Sequence, residues 1–256
     1  MSIDFHVVIP ARYQSSRLPG KLMMDIGGVT VIERVYRQAL MANPQSITIA
    51  TDHHGIADLA TGFGAMVRIT SAEHQSGTDR IAEVVKQGSF GPDDIVVNVQ
   101  GDEPFIAPEL IVQVACCLNA CNDAAVATLC WPIEDSEQFN NPNVVKVVRD
   151  QHHNALYFSR SAIPANRLIT ESQIKGYRHI GLYAYRAAFL LDFVTWPVAE
   201  LERIEALEQL RVLAAGYKIR VEQACVPPLQ DINTADDLVL ARQLAAAQKI
   251  PAFQVL

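Results

Sequence analysis

Short apolar runs alternate with longer stretches of helical periodicity along the first half of the chain. A short apolar run predicts a buried strand, and apolar positions at helical spacing predict a helix. The predicted strands are Phe5–Pro10, Ile47–Thr51, Met66–Ile69, Ile95–Val99 and Ala125–Trp131, and the predicted helices are Val31–Met41, His54–Phe63, Thr78–Lys86 and Pro108–Asn119. This alternation indicates an α/β fold with a mostly parallel, twisted sheet and helices on both faces.

The second half has a different pattern, in which short strands follow one another. Strands are predicted at Val144–Arg149, Ala155–Ser159, His179–Tyr185 and Arg220–Ala224, and helices at Arg186–Phe193, Leu201–Ala215 and Thr234–Ala247. A polar loop is predicted around residues 165–176, and Thr234 with Asp237 forms a capping-box-like start to the last helix. We predict a single domain over residues 1–256, with an embedded smaller subregion at about 131–230 and a returning helix over 231–256.

Composition excludes several classes of protein. Half of the 256 residues are hydrophobic and 19% are charged, which excludes wholesale disorder. A net charge of −7 without a basic run argues against binding to nucleic acid or to a membrane surface. The start of the chain lacks signal-peptide features, and no apolar run approaches the ~20 residues of a membrane span. We expect a cytoplasmic protein.

The five cysteines are odd in number and form no C-x-x-C pair. This pattern favours reduced, packed thiols in a cytosolic protein over a disulfide framework or a zinc site. The sequence also contains neither H-E-x-x-H nor G-x-S-x-G, which argues against a zinc enzyme and a serine hydrolase.

The segment IPARYQSSRLPGK, residues 9–21, follows the first predicted strand. Open α/β sheets bind ligands at the carboxyl ends of their strands. The segment places Arg12, Arg17 and Lys21 within ten residues, among small side chains. Several cations and a closely approaching backbone suit a triphosphate. The alternative is a solvated basic loop, which the acidic character of the chain disfavours.

Two further segments carry candidate chemistry. NVQGDEP, residues 98–104, offers Asp102 at a strand end as a ligand for Mg²⁺ that bridges phosphates, with Glu103 as a competitor. HQSGTDR, residues 74–80, offers Gly77 and two hydroxyls for contact with a nucleobase or ribose. Each has a plain structural alternative: the acidic pair caps a turn, and the hydroxyls cap a helix.

A fourth group of polar residues lies in the second half. Arginine suits a carboxylate, and Glu, Gln and His suit hydroxyls, so the group fits an acidic, hydroxyl-rich ligand. Glu205 and Gln209 are four apart, which predicts that they share one helical face. The alternative is that these are solvated or structural side chains. The group comprises Arg160, Arg178, His179, Glu205, Glu208 and Gln209.

Taken in order, these segments resemble a known family. IPARYQSSRLPGK, ATDH, HQSGTDR, NVQGDEP, NPNVVKVV, ALYFSR, YRHIGLYAYR and LEQLRVL run from about residue 5 to residue 245. The series resembles the 3-deoxy-manno-octulosonate (Kdo) cytidylyltransferases, the CMP-Kdo synthetases of Gram-negative lipopolysaccharide biosynthesis. Other sugar cytidylyltransferases share the first segment in looser form, whereas the whole series is specific to the Kdo enzymes.

The resemblance implies a nucleotide-diphospho-sugar transferase fold, a homodimer, and a Mg²⁺-dependent reaction of CTP with Kdo that yields CMP-Kdo and pyrophosphate. Residues up to about 130 would bind CTP, and residues 131–230 would bind the sugar acid and form the dimer. Catalysis would rest on Arg12, Lys21 and Asp102. The nucleotide would be bound by Pro10, Ala11, Arg12, Arg17, Lys21, Ser76, Gly77, Arg80 and Gln100. Kdo would be bound by Gln100, Arg160, His179, Tyr183, Glu208 and Gln209.

The metal site departs from the family pattern. Asp102 is implied as one ligand of Mg²⁺. The second ligand in similar enzymes is the first aspartate of a D-T-P-E-D-L segment, and Asn233 stands there in this chain. An asparagine carbonyl can bind Mg²⁺ but adds no charge; Asp231 is the alternative ligand. The family's proline after the lysine is replaced by Leu22.

Other functions stay open at this point. Within the same class, the acid could be 8-amino-Kdo or an acylneuraminate. In a different class, the chain would be a nucleotide sensor without catalysis, which the asparagine at the metal position favours. A dinucleotide-dependent dehydrogenase lacks its glycine fingerprint here.

Overall fold

The computed structural model describes residues 3–15, 18–165, 176–229 and 231–247. The strands are β1 (His6–Ala11), β2 (Ser46–Thr51), β3 (Met66–Ile69), β4 (Ile95–Asn98), β5 (Val126–Ile133), β6 (Lys146–Arg149), β7 (Ala155–Ser159), β8 (Gly176–Arg186) and β9 (Ile219–Gln223). The helices are α1 (Val31–Met41), α2 (His54–Gly62), α3 (Gly77–Gln87), α4 (Pro108–Asn119), α5 (Ser136–Asn140), α6 (Ala187–Phe193), α7 (Glu200–Glu205), α8 (Gln209–Ala214) and α9 (Ala235–Ala247).

The described strands form one mixed sheet in the order β3-β2-β1-β4-β8-β5-β9. Strands β1 to β4 pair in parallel, as do β5 and β9. Strand β8 runs antiparallel to both β4 and β5, and so joins the two parallel parts. The hairpin of β6 and β7 is attached through β6 to the start of β8. The predicted mostly parallel α/β sheet is confirmed.

The core lies on both faces of this sheet. In β1, Val7 and Ile9 belong to one buried cluster and Val8 to another. Successive side chains of a strand point to opposite faces, so an uninterrupted apolar strand indicates that both faces are covered. This packing fixes the carboxyl end of β1, where the first candidate segment begins.

The predicted helix Leu201–Ala215 is wrong, because the chain forms the two short helices α7 and α8 instead. Ala206 ends α7 in the left-handed conformation, with φ 51° and ψ 50°. Glu205 and Gln209 therefore do not share one helical face. No glycine or proline marks the break in the sequence, so the local pattern favours one continuous helix. The main-chain carbonyls at this corner accept hydrogen bonds from Arg160, which lies outside the segment.

Other boundaries differ less. Strand β8 begins at Gly176, before the predicted His179, and the short helix α5 and a 3-10 turn over Lys21–Met23 were not predicted. The predicted polar loop lies mostly in residues 166–175, outside the described residues. The capping box of α9 is confirmed: Asp237 N donates to Thr234 Oγ1 at 3.2 Å, and Thr234 N donates to Asp237 Oδ2 at 2.8 Å.

The cysteine packing is partly as predicted. Cys130 is buried, but Cys116 and Cys225 are exposed, so the expectation of packed thiols is wrong for these two. Within the described ranges, no helix combines the length and the apolar character that a membrane crossing requires.

Candidate active site

A cleft of about 340 Å³ opens at the carboxyl ends of β1 and β4. Its walls come from the three segments of the first half and from Asn233, two residues before the last helix. The lining residues are Pro10, Arg12, Gln14, Ser15, Lys21, Leu22, His74, Gln75, Ser76, Gly77, Arg80, Gln100, Gly101, Asp102 and Asn233. A Cβ on Gly101 would lie 2.9 Å from the Pro10 carbonyl oxygen. Glycine is therefore required where the two strand ends approach each other.

Lys21 and Asp102 form an ion pair inside the cleft. Lys21 Nζ donates to Asp102 Oδ2 at 2.5 Å and to the Ile232 carbonyl at 2.7 Å. Ile232 N donates to the Asp102 carbonyl at 2.9 Å. These bonds join the first segment, the end of β4 and the start of the last helix, and they bring Asn233 to the same cleft.

The predicted cations are not equivalent in the structure. Arg12 is exposed and lines the cleft, whereas Arg17 lies outside the described residues. Arg80 also lines the cleft, but its buried guanidinium donates to Asp52 Oδ2 at 3.0 Å and to Thr70 Oγ1. Arg12 is therefore better placed than Arg80 to meet a phosphate chain. Lys21 has three Nζ protons, of which its bonds to Asp102 and Ile232 use two.

The segment HQSGTDR has both of the features considered for it. Ser76 caps α3, because Asp79 N donates to Ser76 Oγ and Ser76 N donates to Asp79 Oδ2, each at 3.1 Å. Ser76 and Gly77 also line the cleft. Ala11 is fully buried and, among the described residues, is not part of the cleft wall. Contact between the Ala11 backbone and a nucleotide stays a prediction.

Two further cavities adjoin the cleft through Gln100. One of about 200 Å³ is lined by Gln100, Tyr183, Glu208 and Gln209 with parts of α3 and β4. The other, of about 910 Å³, is lined by Gln100, Asp102, His179, Tyr183, Asp231 and Asn233, among others. Five of the six residues predicted for the sugar acid thus come together beside the nucleotide cleft.

Arg160 is the sixth, and the structure places it elsewhere. It is not among the described residues that line the three cavities. Its guanidinium donates to the main-chain carbonyls of Glu205 at 2.7 Å, Pro142 at 3.0 Å and Ala206 at 3.2 Å. Direct contact between Arg160 and a sugar acid stays a prediction.

His179 is neutral in this environment. Its Nε2 lies 3.0 Å from Thr128 Oγ1, and the Thr128 hydroxyl lies 2.8 Å from the Leu182 carbonyl, to which it can donate. That arrangement makes Nε2 the donor to Thr128 and leaves Nδ1 as an acceptor. Burial lowers the pKa of His179 to about 3. The side chain therefore suits a hydroxyl rather than the carboxylate of a ligand.

Two carboxyl groups in the part of the molecule around Gln100 have raised pKa values. Burial, together with Asp102 and Asp231, raises the pKa of Glu103 to about 8, while Arg178 opposes this shift. Burial also raises the pKa of Glu208 above its usual value, against hydrogen bonds from Thr78 and Ser76 that lower it. Neighbouring carboxylates with such environments are typical of ligand sites.

The oxygen donors of the cleft are of the type that Mg²⁺ prefers. Asp102 and Asn233 line both the cleft and the adjoining cavity of about 910 Å³. Asn233 Nδ2 donates to Asp231 Oδ2, so both side chains lie on one side of the chain. In the part of the chain that the structure describes, no three His, Cys, Asp or Glu side chains are arranged to hold a metal. The donor set fits a Mg²⁺ ion that takes most of its ligands from phosphates and water.

Several lining residues were absent from the predicted site. His74 and Gln14 line the cleft, and Asn98 and Tyr185 line the smaller cavity. All four lie within segments that the sequence singles out. Their positions inside these segments were the feature of the sequence that could have identified them. The direction of a side chain cannot be predicted from a loop sequence.

The mostly parallel sheet, the cleft at its strand ends and the adjoining cavities are typical of a nucleotide-binding α/β protein. The chain belongs to the cytidylyltransferase family, whose profile matches residues 6–219. A 3-deoxy-manno-octulosonate cytidylyltransferase of Legionella pneumophila is 66% identical over 243 residues, 95% of this chain and 97% of its own. The enzyme of that name from Vibrio vulnificus is 50% identical over 253 residues, 96% of this chain and 100% of its own. These similarities confirm the family resemblance of the motifs.

Solved structures agree with this assignment to the cytidylyltransferase family. A CMP:2-keto-3-deoxy-manno-octonic acid synthetase complexed with CTP matches with a TM-score of 0.90 and 37% identity, covering 96% of this chain and 100% of its own. A 4-diphosphocytidyl-2C-methyl-D-erythritol synthase from Anaerococcus prevotii matches with a TM-score of 0.60 at 14% identity, covering 95% of this chain and 99% of its own. The second similarity shows the fold alone.

Proposed function

We propose that this chain is an enzyme that transfers the cytidylyl group of CTP to 3-deoxy-manno-octulosonate, producing CMP-Kdo and pyrophosphate for lipopolysaccharide biosynthesis. The observation that carries the proposal is the junction at Gln100, where a cationic cleft meets two polar cavities. Relatives of the same name at up to 66% identity, and a solved CTP complex of a Kdo enzyme, support this assignment.

CTP would occupy the cleft at the ends of β1 and β4. The triphosphate would lie against Arg12 and Lys21, and the sequence adds Arg17 to this set. Pro10, Ser76 and Gly77 line the wall where ribose and cytosine would lie. The α3 N-terminus contributes partial positive charge on the same side.

Kdo would occupy the adjoining cavities. Tyr183, Glu208 and Gln209 offer hydroxyl, carboxyl and amide groups to its hydroxyls, and neutral His179 offers a further acceptor. Gln100 borders both substrates and donates to the Gly181 carbonyl at 3.3 Å, which ties β4 to β8 at this point. The anomeric hydroxyl would thus meet the α-phosphate beside Gln100.

The reaction needs positioning and neutralisation of charge more than covalent help from the protein. The anomeric oxygen bonds to the α-phosphorus. The bond from that phosphorus to the bridging oxygen breaks, and its electron pair leaves with pyrophosphate. The hydroxyl proton passes to solvent. Arg12 and Lys21 stabilise the charge of the departing pyrophosphate.

Mg²⁺ is part of the proposal. Asp102 would hold it, with the carbonyl of Asn233 or the carboxylate of Asp231 as a second donor. A bound Mg²⁺ neutralises phosphate charge and lowers the pKa of a coordinated hydroxyl. The Asp102 carboxylate meanwhile orients Lys21 through their ion pair.

We further propose a homodimer in the cytoplasm. Leu156 on β7 and Ile204 on α7 are 61% and 70% exposed, in the part of the chain assigned to dimerisation. Exposed apolar side chains of this size are typical of contact surfaces. The proposed location in the cytoplasm is supported by the use of CTP as a substrate and by the free cysteines. Light scattering during size-exclusion chromatography measures the oligomeric state directly.

The test is an incubation of the protein with CTP, Mg²⁺ and Kdo, with detection of CMP-Kdo and pyrophosphate. Parallel arms replace Kdo by 8-amino-Kdo or by N-acetylneuraminate, and a further arm omits the acid. We expect product with Kdo and a far lower rate in the other arms. Turnover with another acid alone would contradict the substrate, and CTP binding without product in all arms would indicate a nucleotide sensor.

A further inference from the structure

We propose that Arg160 is a positioning residue, which clamps the corner between α7 and α8 and thereby directs Glu208 and Gln209 into the cavity beside Gln100. The inference rests on the proposed function, since that cavity is taken to hold the sugar acid. It gives Arg160 a role different from the direct contact that the sequence predicts.

The corner needs external support. Ala206 has φ 51° and ψ 50°, a left-handed conformation that costs a non-glycine residue about 1 kcal/mol or more. Its side chain is exposed, so packing of the methyl group does not compensate for this cost. The two short helices on either side, α7 and α8, are also too short to be stable alone.

Arg160 supplies that support through its guanidinium. Nε donates to the Glu205 carbonyl at 2.7 Å and Nη2 to the Ala206 carbonyl at 3.2 Å. Carbonyls at the end of a helix lack partners within the helix, and a cation placed there is favourable. The third bond, from Nη1 to the Pro142 carbonyl at 3.0 Å, anchors the clamp outside the corner.

The Glu205 carboxylate holds the corner from the opposite direction. It accepts from Ser159 Oγ at 2.7 Å, from Arg160 N at 2.9 Å and from the Tyr157 hydroxyl at 3.4 Å. Burial raises the pKa of Glu205, but these bonds and the Arg160 charge outweigh it and leave the pKa below its usual value. Residues 159 and 160, at the end of β7, thus donate hydrogen bonds to both the carboxylate and the main-chain carbonyl of Glu205, at the end of α7.

Arg160 is itself fixed in place. Its carbonyl accepts from Lys146 Nζ at 2.7 Å, and the fully buried Lys146 also donates to the Asn141 carbonyl at 2.8 Å and the Val144 carbonyl at 2.6 Å. The clamp is therefore an extension of the β6–β7 hairpin rather than a mobile surface arginine.

The corner determines where the next two side chains point. Glu208 and Gln209 lie just beyond Ala206 and line the cavity with Tyr183 and Gln100. Glu208 also accepts hydrogen bonds from Ser76 and Thr78 at the start of α3. If residues 201–215 formed one helix, this geometry would be lost. Loss of the clamp is thus expected to weaken binding of the sugar acid and to leave the triphosphate cleft largely unchanged.

The test measures KM for Kdo, KM for CTP and kcat in Arg160→Ala, Ala206→Gly and the double variant. For Arg160→Ala we expect about a tenfold higher KM for Kdo and less than a twofold change in KM for CTP. Glycine adopts the corner conformation without strain, so Ala206→Gly alone should be close to wild type. In the double variant it should restore most of the lost affinity for Kdo.

Two further variants make the result decisive. Ala206→Val leaves Arg160 intact but disfavours the corner, and should reproduce the Arg160→Ala defect. Arg220→Ala removes a partly buried arginine that pairs with Glu222 away from the cavities, and should leave both KM values unchanged. Circular dichroism checks that each variant is folded.

A direct contact between Arg160 and Kdo predicts a different pattern. In that case Ala206→Gly does not rescue Arg160→Ala, and Ala206→Val leaves the KM for Kdo near wild type; either result overturns the proposal. Failure of the proposed function is separate, because the wild-type protein would then form no CMP-Kdo at all.

Discussion

The two halves of the molecule position their candidate site residues by different means. In the first half, the loops after β1 and β4 bring Arg12, Lys21 and Asp102 to one edge of a parallel sheet. In the second half, His179 and Tyr183 lie on an antiparallel strand, and Glu208 follows a corner between short helices. The first arrangement follows from fold topology, whereas the second depends on particular long-range hydrogen bonds.

This difference has a consequence for mutations. In the nucleotide half, a substitution should act mainly where it touches the cleft itself, because parallel strands with buried apolar side chains hold the backbone. In the sugar half, residues away from the cavity should also change substrate binding, as the proposed role of Arg160 illustrates.

The strongest test of the nucleotide half is Asp102→Ala. It leaves Lys21 without its 2.5 Å partner and removes the proposed magnesium ligand. We expect kcat to fall by roughly 10²–10⁴-fold while the protein stays folded, because charge stabilisation of this kind is a large part of catalysis. Pyrophosphate release at saturating CTP and Kdo measures the effect.

The matched control is Asp123→Ala, which removes an exposed carboxylate paired with Lys218. An exposed ion pair contributes little, so turnover should not change. Near-normal turnover of Asp102→Ala would mean that the cleft does not act as proposed.

Gly101→Ala tests how closely the ends of β1 and β4 must approach. The added Cβ would lie 2.9 Å from the Pro10 carbonyl oxygen, so the backbone must shift. We expect a loss of about 2–3 kcal/mol in the free energy of unfolding and a higher KM for CTP. Urea denaturation and steady-state kinetics measure these two effects.

Gly62→Ala serves as its control, because a Cβ there meets nothing within 4 Å and the residue ends α2. Its stability should be equal to wild type or higher by up to about 1 kcal/mol. Equal free energies of unfolding for the two variants would contradict the close approach of the strands.

The smallest effect concerns His179 in the sugar half. Its pKa is about 3 in the folded protein, against 6.5 as the usual value, so between these limits the unfolded chain binds more protons. The stability that the neutral side chain contributes is present above pH 6.5 and is lost as the pH falls towards 3. The variant His179→Gln has no imidazole at this position, so its stability lacks this dependence on pH.

We therefore expect the difference between the unfolding free energies of wild type and His179→Gln to change by roughly 2 kcal/mol between pH 7 and pH 5. Urea denaturation over this range at constant ionic strength measures the difference. A constant difference between the two proteins would show that His179 titrates normally and lies in an aqueous environment.

Much of the first half follows from local sequence. The apolar runs and helical periodicity predict β1 to β4 and their helices to within a residue or two. Strands β1, β2 and β4 are largely buried, and burial on both faces favours short, continuous apolar runs. The cleft follows from the rule that loops at the carboxyl ends of parallel strands meet at one edge. The sequence alone therefore predicts that Lys21, Gln100 and Asp102 lie close together.

The second half required tertiary structure. The segment from Leu201 to Ala215 has helical periodicity throughout, yet the helix breaks at Ala206, where Arg160 donates to the carbonyls of Glu205 and Ala206. Such bonds join residues about 45 positions apart, and no local pattern encodes them. They hold the Arg160 guanidinium outside the cavity that Glu208 and Gln209 line.

The type of candidate site and the order of strands and helices were thus determined by the sequence of apolar and polar residues. The burial of these residues is a local property of each strand and helix. The protonation of His179 and Glu103 and the direction of each side chain were decided only by the folded structure. Both depend on which groups from distant parts of the chain exclude water or supply a charge at that point.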